Sequence, residues 1–66
     1  MNKLKQNKSR EFVIFSEDGF FTGFKKGGQA QWSMEIEKGK PFDRESKLRA
    51  LQYNVGNKEL LIEYLN

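Results

Sequence analysis

Neither cysteine nor histidine occurs in this chain of 66 residues, and those two absences limit how it can be held together. A domain so short buries only about 60% of the surface its unfolded chain exposes, and burial then roughly cancels chain entropy. Small domains usually add disulfides, a metal or a second chain. Without cysteine, disulfides and thiolate metal sites are excluded. Without histidine, the commonest metal ligand and the usual neutral-pH general base are gone. A partner chain is the remaining device, which favours a homodimer or folding assisted by a target. No metal or cofactor is expected.

The net charge of +3 is unevenly placed. Lys3, Lys5, Lys8 and Arg10 all lie in the first ten residues, with no acid among them, leaving eight cations against nine carboxylates in the rest. The folded body is therefore near neutral. Residues 1–10 hold too little apolar surface to offset their ordering entropy and read as a flexible basic arm, ahead of a single α+β domain over 11–66. No apolar run approaches the roughly 20 residues of a membrane span, and nothing behind the N-terminal charges resembles a signal peptide. The expectation is a cytoplasmic protein, in the host cell if it is phage-encoded.

Residues 11–16 (EFVIFS) are β-branched and aromatic, hence a strand, with Phe12 and Ile14 on one side and Val13 and Phe15 on the other. Ser16-Glu17-Asp18-Gly19 is a turn, and 20–25 (FFTGFK) is the returning strand. Strict alternation there groups Phe20, Thr22 and Phe24 on one face and Phe21 and Gly23 on the other, although a mid-strand glycine suggests a bulge or close backbone approach. After the turn Lys26-Gly27-Gly28, residues 31–37 alternate, with Trp32, Met34 and Ile36 inward. These three strands form an antiparallel meander. Asp43 is the expected N-cap of a helix over 44–54, with Leu48, Leu51 and Val55 as its apolar stripe and Gly56 as its C-cap. Residues 58–66 fit either a fourth strand, through Leu60, Ile62 and Tyr64, or a short helix, toward which residue propensity leans. The expected fold is thus α+β: a three-stranded antiparallel meander, one packed helix, and a short C-terminal helix or fourth strand.

Catalytic chemistry finds little support. Glu17/Asp18 and Glu35/Glu37 are paired in sequence, but nothing builds a deep cleft to separate their pKa values as glycoside hydrolysis needs. Gly19, Gly23, Gly27 and Gly28 match no phosphate-binding loop and are explained by turns and a bulge. The serines have no histidine to activate them. An enzyme is not expected.

The aromatic residues say more. Nine occur, and in the first hairpin they fall on both faces. One helix covers only one face of a three-stranded sheet, so the other should leave apolar rings open as an interaction site. Phe12, Phe20, Phe21 and Phe24 are the candidate protein-binding residues. Asp18 to Phe24 shares Gly-Phe spacing with the RNA-recognition-motif consensus. It departs where Asp18 stands for a basic residue and Phe21 for a small one, and the order of elements is wrong for that fold. The alternative site is electrostatic: Lys3, Lys5, Lys8 and Arg10 of the arm, extended by the turn lysines Lys25 and Lys26 and by Lys38 and Lys40 of the next turn, contacting phosphates. Its bland counterpart is a solubilising tail.

The hairpin from Phe12 to Phe24, the aromatic strand around Trp32, and Phe42-Asp43 opening the Leu48/Leu51 helix together resemble the small accessory proteins of tailed-bacteriophage early regions. That resemblance implies a non-enzymatic inhibitor or adaptor that occludes a host enzyme or a defence system such as a toxin or CRISPR nuclease. The partner would be a host protein or a protein–nucleic-acid complex. The near-neutral body departs from the strongly acidic DNA mimics of that group.

Overall fold

The computed structural model describes residues 10–65. Lys3, Lys5 and Lys8 of the basic arm lie outside the described residues. Four antiparallel strands form one sheet in the order β3-β2-β1-β4: β1 (Phe12–Ser16), β2 (Gly19–Phe24), β3 (Ala30–Ser33) and β4 (Leu61–Tyr64). The meander expected from the sequence is β1 to β3. The chain then passes through a 3-10 turn, Ile36–Lys38, and the helix α1, Glu45–Val55, before β4 returns to the free side of β1.

The β1–β2 turn is tight because Ser16 pairs with Gly19. The Ser16 hydroxyl oxygen accepts the Asp18 amide at 3.1 Å. Gly19 takes φ +117°, and a Cβ there would lie 2.5 Å from the Ser33 carbonyl oxygen, so both its backbone and its close approach to β3 require glycine.

The register shifts between Phe21 and Gly23 relative to β3, which is a β-bulge. The extra residue turns Phe24 onto the same face as Phe21, and their rings meet edge-on at 5.1 Å. Strict alternation had placed Phe24 with Phe20 on the opposite side. The bulge that Gly23 suggested is the reason it does not stay there.

Phe12, Ile14, Phe21 and Leu51 are the buried core, with Trp32, Phe42, Leu48, Val55, Leu60 and Ile62 packed around them. This is the inner face of the sheet, under α1. The C-cap is Gly56, φ +75°, whose amide donates to the Gln52 carbonyl oxygen. Asp43 is not the observed N-cap: that position is Arg44, which makes no side-chain capping bond.

β3 ends at Ser33, short of the expected strand over 31–37. The Ser33 hydroxyl oxygen accepts the Glu35 amide at 3.1 Å, and this local bond competes with continued pairing. Met34 and Ile36 therefore do not enter the core; Met34 is 78% exposed. The following segment crosses the outer face. A Cβ on Gly39 would lie 3.0 Å from Val13 Cγ1 and 3.3 Å from Phe20 Cβ, so Val13 is buried although it points away from α1.

The chain then passes from the outer to the inner face where β1 and β2 separate. The Lys40 amide donates to the Phe21 carbonyl oxygen at 2.8 Å, and Phe42 exchanges two 2.8 Å backbone bonds with Phe12. Phe42 thus plugs the opening, its ring stacked 6.1 Å from Phe21. The ambiguous C-terminal segment is strand β4, with Ile62 opposite Ile14 and Leu61 opposite Phe15.

Candidate interaction surfaces

On the outer face, the crossing segment covers Val13 but leaves a row of apolar side chains across the sheet. The ladder places Leu61 beside Phe15, Phe15 beside Phe20, and Phe20 beside Ser33. The Phe15 and Phe20 rings lie 5.5 Å apart and are half-buried. Leu61 is 48% exposed, and Met34 and Ile36 stand exposed beyond β3.

The polar frame of this row is acidic. A depression of about 510 Å³ at its β4 end is lined by Phe15, Leu61, Glu17, Glu59 and Lys58 among others. Glu63, opposite Val13, shares the outer face by alternation. The cations nearby are engaged: Lys58 donates to Asp18 at 2.6 Å and Lys38 pairs with Glu35 at 3.5 Å. The hydrogen bond to Asp18 is the largest influence on the Lys58 ammonium and, aided by the charges of Asp18 and Glu17, holds its pKa above the ordinary value although burial pulls the other way.

The helix side carries the opposite charge. Between the bulge and α1 lies a cleft of about 420 Å³ whose lining includes Phe24, Phe42, Lys40, Lys47 and Asn54. An adjoining depression of about 430 Å³ shares Asn54 and reaches Trp32, Val55 and Lys58. No carboxylate lines either one.

The four aromatic residues named from the sequence as protein-binding candidates do not share one exposed surface. Phe12 and Phe21 are 3% and 2% exposed, in the core, where no partner reaches them. Phe20 lies on the outer face. Phe24 is exposed on the helix side, moved there by the bulge. Of the basic candidates, Arg10 stacks over the Tyr64 ring at 4.0 Å, and Lys25 and Lys26 are exposed at the β2–β3 turn. Sequence reasoning missed Phe15, Leu61 and Lys47 as site residues, and had Lys40 only as a turn lysine extending the phosphate contacts of the arm. The Phe15–Phe20 pair was accessible from the two-residue turn, which fixes that register; Leu61 was hidden by the helix–strand ambiguity.

Among the described residues no three acidic side chains cluster to hold a metal ion, and no helix is long and apolar enough to cross a membrane. No family model, curated protein or solved structure compared with the chain matches it.

Proposed function

We propose that this protein is a non-enzymatic binding module that inhibits or adapts a partner protein through the outer face of its sheet. The supporting observation is the half-open row Leu61–Phe15–Phe20, continued by Met34 and Ile36 and framed by Glu17, Glu59 and Glu63. An apolar strip with a charged border matches the anatomy of a protein interface, an apolar centre inside a polar rim. The carboxylate border suits a partner surface bearing basic residues, because complementary charge steers encounter and fixes orientation. On the resemblance to phage early-region proteins, that partner is a host enzyme or a defence component.

The test is affinity capture of the tagged protein from bacterial lysate, with and without nuclease, using wild type and Leu61→Glu. One stoichiometric protein retained after nuclease by wild type and lost by the variant supports the reading. Equal retention by both, or proteins held only through nucleic acid, contradicts it.

A further inference from the structure

We propose that the groove between α1 and the β2–β3 hairpin binds single-stranded nucleic acid, with Phe24 as a stacking platform and Lys40 and Lys47 contacting phosphates. The two depressions along α1 adjoin at Asn54 and run from the Phe24 end to the Trp32 end, which is the shape a linear chain occupies. The charge is selective. Nine carboxylates occur among the described residues, yet none lines the groove. Neither Lys40 nor Lys47 has an ion-pair partner among the described residues.

The groove is also preorganised. The Lys40 backbone is fixed by its bond to Phe21, and Lys47 projects from the first turn of the regular helix α1. Phe24 is 52% exposed but buttressed edge-on by Phe21 at 5.1 Å, so its ring is held in place with one side open to solvent. Lys25 and Lys26 continue the positive charge past Phe24. An open aromatic ring beside unpaired cations is the combination that binds single strands, the base stacking while the phosphate meets the ammonium. An acidic peptide would satisfy the lysines but leave the ring unused. This site faces away from the acidic outer row, so one domain could hold a protein and its nucleic acid together.

The test is fluorescence anisotropy of the full chain with labelled thymidine and uridine oligomers of about ten nucleotides. Comparators are a duplex, a Glu/Tyr copolymer, and salt raised from about 50 to 200 mM. The variants are Phe24→Ala, the double variant Lys40→Gln/Lys47→Gln, and a chain lacking residues 1–9, with circular dichroism to verify the fold. Expected are preference for the single strand and loss of at least about fivefold in affinity for Phe24→Ala. The log–log salt slope should fall by about 1.4 in the double variant, two phosphates at about 0.7 each. Absence of binding, equal duplex binding, preference for the copolymer, or binding that only the arm deletion removes would overturn the proposal. Leu61→Glu serves as a control for the outer face and is expected to leave this binding unchanged, so the two readings fail separately.

Discussion

Gly39→Ala probes the least expected feature of the fold, the passage of the chain over the outer face. Gly39 has φ −66° and ψ 143°, a backbone that any residue adopts, so the substitution is purely a question of space. The new methyl would meet Val13 Cγ1 at 3.0 Å, the Ile36 carbonyl oxygen at 3.1 Å and Phe20 Cβ at 3.3 Å. Val13 is β-branched and 1% exposed, and the Ile36 contact is backbone, so neither moves aside freely. Overpacking of this kind costs about 1–3 kcal/mol. The lower unfolded-state entropy of alanine returns about 0.4–1 kcal/mol. At the middle of these ranges the expected net loss is about 1.3 kcal/mol, or roughly 5–10 °C in Tm at about 4–8 °C per kcal/mol for so small a domain. Val13→Ala removes the closest side-chain contact, so in urea denaturation the double variant should be less destabilised than the sum of the singles, as touching residues couple. Unchanged or increased stability in Gly39→Ala, or strict additivity in the double variant, would refute the close packing of this segment on Val13.

Other expectations follow from the same geometry. Gly19→Ala should be far more damaging than Gly23→Ala: both carry positive φ, but a methyl strikes the Ser33 backbone at the first and meets nothing within 4 Å at the second. Equal thermal midpoints for the two would contradict this. Leu51→Ala should cost about 2–5 kcal/mol, much of the roughly 3–10 kcal/mol available to a domain of this size, whereas exposed Phe24→Ala should cost under about 1 kcal/mol; urea midpoints decide it. Lys58 has its pKa raised chiefly by Asp18. Its stabilising effect is therefore full below the unfolded lysine value of about 10.4 and is lost as pH rises through the higher folded value. The Tm advantage of wild type over Lys58→Met should shrink across that alkaline window, and a constant gap would contradict the bridge.

The parts of the fold legible in the sequence were those set by local pattern: the first hairpin, the Leu48/Leu51/Val55 stripe, and Gly56 ending the helix. The illegible parts were set by single local bonds or by long-range geometry. Alternation through Met34 and Ile36 reads as continuing strand, but one hydroxyl–amide bond at Ser33 ends it. Gly23 signalled a bulge, yet which neighbour it would re-aim depends on the β3 register, and so Phe24 was placed on the wrong side. The insertion of Phe42 beside Phe12 joins residues thirty apart and leaves no periodic trace. The site was less legible than the fold. Pairing rules could have given Phe15 with Phe20, but the groove lysines Lys40 and Lys47 come from a loop and a helix whose meeting is a tertiary fact.

Isothermal titration calorimetry on the captured partner would show whether the outer sheet face is the partner-binding surface. Leu61→Glu and Phe20→Ser would be compared with Tyr53→Glu, a residue 91% exposed on α1. Both outer-face variants should lose at least about tenfold in affinity, the loss typical of a central interface residue at about 1.4 kcal/mol, while Tyr53→Glu binds as wild type. Wild-type affinity in the outer-face variants, or a loss confined to Tyr53→Glu, would contradict that expectation.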